Sequence, residues 1–457
     1  MFDLLIIGGG PGGYGAAEYA AHHGYSVALV ERDRLGGTCL NRGCVPTKAY
    51  LHTAEVVSEA AFYTPETLAH FDRSVMFARK NETVETLVKG IGMLMKVGKV
   101  AVYEGVGTLL STVAPFSVRV TRMDGIAETL EAQRVIIATG SAPSRLPVPG
   151  CENPSVWTSD DLLAEAGTTP FQSLLIVGGG VIGVEMANIY ARLGVAVTIL
   201  EAEKRCLPML DMELGRSAEA MLKGLSVNVL TDARLQSIKQ TENAFTANYD
   251  KNGTTGAITC ERALLATGRR PVTDGLLDNA ITLTMNRHFI AVDDNFRTNL
   301  AGVYAIGDVN GVFQLAHAAH AQGVAAVSDM LGIPSPINPN LVPSCVYTAP
   351  EIASVGLTAD EAKVLGREVI IGKALTTQNA RTLIEGLGRG FIKLIFDKAT
   401  RKLIGAQLFC GRATDLVGEL TVAIENGLTA ANLLRPLRAH PTFEESITDA
   451  VLAAKFD

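Results

Sequence analysis

Leu4-Leu5-Ile6-Ile7-Gly8-Gly9-Gly10-Pro11-Gly12-Gly13 reads as a short buried strand that runs into a glycine-rich turn. A helix follows, with Ala16, Ala17, Tyr19 and Ala20 at helical spacing, and then a second strand, Val27-Ala28-Leu29-Val30, that ends at Glu31. The same order recurs later: Leu174-Leu175-Ile176-Val177, then Gly178-Gly179-Gly180 and Gly183, a helix through Ala187 and Ala191, and Val197-Thr198-Ile199-Leu200 closed by Glu201. In both copies the acid stands 23 residues after the first glycine. One such glycine pattern is weak evidence, because small residues also let a helix pack closely on a strand. Two copies with strand, helix and terminal acid in step are strong evidence for two dinucleotide-binding units.

Each residue in the pattern has a physical task. Gly8 and Gly178 permit the tight turn, and Gly10 and Gly180 let the backbone approach a pyrophosphate. Gly13 and Gly183 let the helix lie close to the sheet with its N-terminus toward the phosphates. Glu31 and Glu201 are expected to accept hydrogen bonds from ribose hydroxyls. The units also close alike, with Val135-Ile136-Ile137-Ala138-Thr139-Gly140 and Leu264-Leu265-Ala266-Thr267-Gly268. A third strand, Val303 to Ile306, ends in Gly307-Asp308.

Composition sets outer bounds. At roughly 100–200 residues per domain, 457 residues allow about three domains. With 40 basic and 47 acidic side chains the net charge is −7, which speaks against a nucleic-acid binder or a protein of anionic membrane surfaces. The apolar fraction of 47% excludes a disordered chain. The strongest apolar run, Leu174 to Val184, is broken by glycines and falls short of the ~18 residues a membrane span needs. No basic stretch leads into an apolar run before Phe2, so a soluble cytoplasmic protein is expected. Proline-rich breaks at Pro143–Pro154 and Pro334–Pro343 read as connections. The expected fold is α/β: two Rossmann-like dinucleotide-binding domains, the first interrupted by the second, then a C-terminal α+β domain. Its strands include Ile392 to Phe396 and Leu403 to Leu408 in an antiparallel sheet. The boundaries are 1–146, 147–270, 271–341 and 342–457.

Between Glu31 and the next helical pattern lies Gly36-Gly37-Thr38-Cys39-Leu40-Asn41-Arg42-Gly43-Cys44-Val45-Pro46-Thr47-Lys48. The other cysteines, Cys151, Cys206, Cys260, Cys345 and Cys410, are far apart in sequence and read as ordinary thiols. Three readings of Cys39 and Cys44 compete. Two cysteines without a nearby histidine pair are too few for structural zinc, and no metal site is expected. An inert thiol pair is a second reading. A redox-active disulfide is the third, favoured because a thiol just before a helix has its pKa depressed by the helix dipole.

The run from Gly36 to Lys48 between two dinucleotide units resembles the class I pyridine nucleotide–disulfide oxidoreductase family, over nearly the whole chain. Ala439-His440-Pro441-Thr442-Phe443-Glu444-Glu445 resembles the family's terminal segment. The resemblance implies that the first unit, with Gly8, Gly10, Gly13, Glu31, Thr38, Lys48, Thr139, Gly140 and Asp308, binds FAD. The second, with Gly178, Gly180, Gly183, Glu201 and Gly268, would bind NAD. It further implies a redox disulfide of Cys39, the interchange sulfur, with Cys44, the sulfur nearer the flavin. His440 would be the acid/base, Glu445 its orienting carboxylate, and Lys48 with Glu185 a pair beside the flavin. The C-terminal domain would form a homodimer, so that His440 serves the cysteines of the other subunit.

Within the family, Glu201 followed by Ala202 favours NAD, since a carboxylate repels the 2′-phosphate of NADP. Lys204 and Arg205 lie close by. Gly178 to Glu185, Leu315-Ala316-His317, Val342-Pro343-Ser344 and Tyr347-Thr348-Ala349-Pro350-Glu351 are similar to the branch that oxidises dihydrolipoyl groups. The implied partner is a lipoyl-bearing carrier protein or lipoyl domain, of a 2-oxoacid dehydrogenase or of a glycine cleavage complex. Phe443-Glu444 departs from the family segment and is expected to shape the substrate funnel. The alternatives are a reductase of another small disulfide using NADH or NADPH, and a non-catalytic nucleotide-binding scaffold.

Overall fold

The structure, a computed structural model, describes residues 1–456. Its first sheet runs in the order Ala101–Glu104, Val27–Glu31, Phe2–Ile7 and Ala127–Ile137, all parallel. The long last strand has two further partners. Its first part carries an antiparallel meander of Phe116–Thr121 and Val106–Leu109, and its end, Val135–Ile137, pairs in parallel with Val303–Ala305. A strand from beyond the second unit therefore completes the first sheet, as the interrupted order in the sequence implied. The strand cores Leu4–Ile7, Val27–Val30 and Val135–Ile137 are buried throughout, as befits parallel strands covered on both faces. On one face the helices Pro11–His22 and Ala316–Leu331 meet through glycines: a Cβ on Gly323 would lie 2.8 Å from the Gly12 carbonyl oxygen.

The second sheet repeats the plan. Asn228–Leu230, Ala196–Leu200, Ser173–Val177, Arg262–Leu265 and Trp157–Thr158 are parallel neighbours. A separate antiparallel meander is formed by Ala233–Gln240, Phe245–Lys251 and Thr254–Cys260. The two crossings between the units are zipped together, since Ser141–Pro143 pairs antiparallel with Arg269–Pro271. The proline-rich stretch after Pro143 is no free tether. Arg145 Nη1 donates to the carbonyls of Cys151 and Val156, both at 2.9 Å, and both residues are fully buried.

The C-terminal region forms an antiparallel sheet in the order Ser344–Val346, Glu351–Gly356, Leu403–Cys410, Phe391–Asp397 and Val369–Leu375. The helices Ala413–Glu425 and Glu445–Leu452 pack into its core. The sheet docks on the second unit through charge. Lys393 Nζ lies 2.9 Å from Asp211 and 3.3 Å from Glu213, and Lys373 also pairs with Glu213. Among the described residues, no helix is long and apolar enough to cross a membrane.

Candidate active site

The two glycine turns agree hydrogen bond by hydrogen bond. The Gly8 amide donates to the Val30 carbonyl and the Gly178 amide to the Leu200 carbonyl, each at 2.8 Å. Gly8 (φ +110°) and Gly178 (φ +108°) both adopt the backbone region that favours glycine. Gly13 and Gly183 are packing glycines: a Cβ would fall 1.8 Å from the Gly8 carbonyl oxygen and 2.0 Å from that of Gly178. Gly180, by contrast, has nothing within 4 Å of its Cβ position, and Gly10 only the Gly37 Cα at 3.9 Å. These two positions leave open cradles beside helix N-termini, where a diphosphate fits.

The cradles open into a cavity of about 1480 Å³ between the units. That exceeds the ~300–1,000 Å³ that suits one small molecule, and leaves room for extended dinucleotides. Its lining includes Gly8, Gly10, Glu31, Thr38, Thr139, Gly140 and Asp308 from the first unit, and Gly178, Gly180, Glu201 and Gly268 from the second. The acids are less free than expected. Glu31 accepts from the Gly9 and Asp33 amides at 2.7 and 2.9 Å, and Glu201 from the Gly179 and Glu203 amides at 2.5 and 2.7 Å. Each carboxylate thus braces its own turn, with lone pairs left over for a ribose. Burial pushes the Glu31 pKa up. Arg205 donates to the carbonyls of Leu207, Pro208 and Leu210, so its guanidinium is spent within its own loop rather than held out for a 2′-phosphate.

Cys39 lies on a short helix, Gly37–Arg42, and Cys44 opens the next, Cys44–Tyr63. Both thiols are free and both line the cavity as neighbours. The neighbouring Cys44 and burial raise the Cys39 pKa. Proximity to Cys39 is the main cause that brings Cys44 down to about 7, helped by the nearby Lys48 charge and opposed by burial. Cys44 is therefore the member that ionises. One turn along its helix, Lys48 Nζ lies 2.8 Å from Glu185 and 4.4 Å from the centre of the Tyr347 ring. The Glu185 side chain is 4% exposed, and its other oxygen accepts from the Tyr347 amide at 2.9 Å. Three parts of the chain thus hold one ammonium ion beside one thiol.

Residues that the sequence left unremarked complete the cavity. Ser141 donates to Asp308, while Arg269 donates to the Ser141 hydroxyl at 2.7 Å and lies 3.8 Å from the Asp308 carboxylate. Cys345, grouped with the ordinary thiols, also lines the cavity, and burial pushes its thiol up to about 11. Nothing in its spacing could have marked it. Cys151, Cys206, Cys260 and Cys410 are buried and free.

His440 and Glu445 are not brought to the cavity within one chain. His440 Nδ1 lies 2.9 Å from Glu445, whose second oxygen accepts from the Thr442 amide at 2.9 Å. The histidine side chain is 72% exposed. The backbone bond from Thr442 and then the bond from His440 hold the Glu445 pKa below the usual carboxylate range. Phe443, expected to shape a funnel, instead turns into the domain core, because Gly411 makes room: a Cβ there would meet the Phe443 ring at 2.4 Å.

Comparison with known proteins agrees with this geometry. The pattern of the pyridine nucleotide-disulphide oxidoreductase family matches residues 2–323, and that of the family's dimerisation domain matches residues 342–451. A dihydrolipoyl dehydrogenase of Bacillus subtilis is 38% identical over 468 residues, covering 99% of this chain and 98% of its own. The crystal structure of LpdA from Mycobacterium tuberculosis superposes with a TM-score of 0.90 at 28% identity, over 98% of both chains. The HOCl-induced flavoprotein disulfide reductase RclA of Escherichia coli does so with 0.87 at 27%, over 99% of this chain and 100% of its own.

Proposed function

The chain belongs to the pyridine nucleotide-disulphide oxidoreductase family, and from that premise we propose that it oxidises a protein-bound dihydrolipoyl group to the lipoyl disulfide with NAD+ as the final acceptor. The observation that carries this reading is the neighbouring pair Cys39 and Cys44, with Lys48 held beside it by Glu185, in a cavity shared by two dinucleotide cradles. The full-length likeness to dihydrolipoyl dehydrogenases supports the substrate.

The residues divide the work. His440 of a second copy takes the proton of one substrate thiol, its Nδ1 held by Glu445 so that Nε2 faces the substrate. The substrate thiolate attacks Cys39 Sγ, the Cys39–Cys44 bond breaks, and Cys44 leaves as a thiolate. The second substrate thiol loses its proton and attacks the substrate sulfur of the mixed disulfide, expelling Cys39. The substrate has then lost two electrons and the cysteine pair has gained them as two thiols. FAD, when bound in the first unit, supplies a two-electron carrier between the thiols and NAD+ in the second. Lys48 stabilises the negative charge that gathers on Cys44, and Glu185 fixes Lys48 in place.

On this reading the chain divides at 146, 270 and 341, and works as a homodimer whose C-terminal domains exchange His440. Its partner is a lipoyl-bearing carrier, the lipoyl domain of a 2-oxoacid dehydrogenase or the carrier of a glycine cleavage complex. Buried free thiols such as Cys206 and Cys410 accord with a reducing cytoplasm. The test is an assay of purified protein with dihydrolipoamide and NAD+ against oxidised low-molecular-weight thiols and NADPH. Turnover with the first pair is expected; turnover with the second alone replaces this reading by a small-disulfide reductase. A protein that binds no flavin and shows neither activity is a scaffold.

A further inference from the structure

Arg42 is the one charged residue between the two cysteines, and its guanidinium pairs with Asp33, two residues beyond Glu31. Both side chains line the cavity, and they are 42% and 46% exposed, which places the pair at the cavity's outer edge. The segment that Arg42 terminates is already fastened at its other end. Gly37 lies so close to the pyrophosphate glycine that a Cβ on it would stand 2.7 Å from the Gly10 Cα. Asn41 Nδ2 donates to the carbonyls of Gly37 and Leu35 at 2.9 and 3.1 Å. The helix bearing Cys39 is therefore pressed onto the first glycine turn at one end and tied, through Arg42, to the turn after the ribose acid at the other.

We propose that Arg42 and Asp33 form a latch over the flavin end of the cavity, which retains the FAD diphosphate and fixes the cysteine loop together. The inference rests on the flavin reading above. Arg42 faces further negative charge: Glu31 lies within its field, as does Asp160 of the second unit, which also lines the cavity and whose Oδ1 is buried without a hydrogen-bond partner. Arg42 thus shares with Arg32, beside Glu31, and Arg269, beside Asp160, the balancing of carboxylates where a diphosphate adds two more negative charges. Losing the cation and losing its partner then have unequal consequences. Arg42→Gln leaves Asp33 unpaired and facing the diphosphate. Asp33→Asn leaves Arg42 free to turn toward it.

The experiment measures FAD release from holoprotein by the rise of free-flavin fluorescence after dilution, at low and high KCl. For a half-exposed ion pair the expected gain in release rate for Arg42→Gln is about three- to fivefold. Asp33→Asn should release more slowly than Arg42→Gln, and the exchanged pair Asp33→Arg with Arg42→Asp should return to within about twofold of wild type. High salt should raise the wild-type rate and lower that of Arg42→Gln, so that the two converge. A wild-type protein that binds no FAD overturns the flavin reading and the latch with it. Bound FAD that leaves wild type and Arg42→Gln at one rate, or an exchanged pair no better than Arg42→Gln, overturns the latch alone.

Discussion

Lys48 and Glu185 come from helices 137 residues apart and meet at 2.8 Å, with the lysine 31% exposed toward the cavity and the glutamate 4% exposed behind it. The pair presents one positive charge to Cys44 and buries its counter-charge. Removing the lysine should raise the Cys44 pKa from about 7, and Glu185→Gln should lower it, because the glutamate opposes ionisation of the thiol. The carboxamidomethylation rate of the reduced protein, followed against pH, reads both shifts: it rises as Cys44 ionises, at higher pH for Lys48→Met and lower pH for Glu185→Gln. Identical profiles for wild type and Lys48→Met would remove Lys48 from the site. Lys48→Met also leaves a buried carboxylate with only the Tyr347 amide, which should cost about 2 kcal/mol in urea unfolding.

Sharing of His440 between copies can be tested without a structure of the dimer. Cys44→Ser should retain yellow bound flavin yet lose dihydrolipoamide turnover, and His440→Gln should lose about 10²–10⁴-fold. Unfolding the two variants together and refolding them should restore about a quarter of wild-type activity, since half of the dimers are mixed and each holds one intact site. Failure to complement, with mixed dimers shown to form, would put His440 and Cys44 in the same subunit's site.

Glu201 braces the second glycine turn and, on the proposed reading, also meets a ribose. Glu201→Ala strands the Gly179 and Glu203 amides and should weaken NAD+ binding about tenfold or more, measured by kcat/KM and by calorimetric titration. Arg205→Ala should leave discrimination against NADP+ intact, because its guanidinium is already engaged by three carbonyls. A gain in NADP+ discrimination in that variant would show that the arginine does reach the coenzyme.

The Lys393–Asp211 pair joins the C-terminal sheet to the second unit with both side chains only 10% exposed. Lys393→Met alone strands the buried Asp211 carboxylate and should destabilise by about 3 kcal/mol. The paired change Lys393→Met with Asp211→Leu should recover much of that loss. Thermal unfolding separates the two outcomes, and equal midpoints for the single and paired variants would discount the clamp.

Much of this was legible in sequence because it is written in local patterns. Strand cores such as Leu4–Ile7 are continuous apolar runs, the glycine turns are contiguous, and Cys39 and Cys44 are near neighbours. What escaped depends on distant partners or on room. Ser141 meets Arg269 across 128 residues and Asp308 across 167. Cys345 reaches the cavity only because the C-terminal sheet closes one wall of it. Phe443 turns inward because a glycine stands opposite, 32 positions earlier at Gly411. His440 stands exposed and away from the cavity of its own chain, so what it serves on the proposed reading depends on a second copy that no local pattern describes.

The short ladder of Ser141–Pro143 on Arg269–Pro271 brings the entrance and the exit of the second unit side by side. A guest whose two ends are neighbours imposes no stretch on its host. The nicotinamide half can therefore be excised and replaced as a cassette, for instance by one that prefers the phosphorylated coenzyme. Such a cassette would still have to present Glu185 to Lys48, and Asp211 with Glu213 to Lys393, on which the cysteine site and the C-terminal sheet rely.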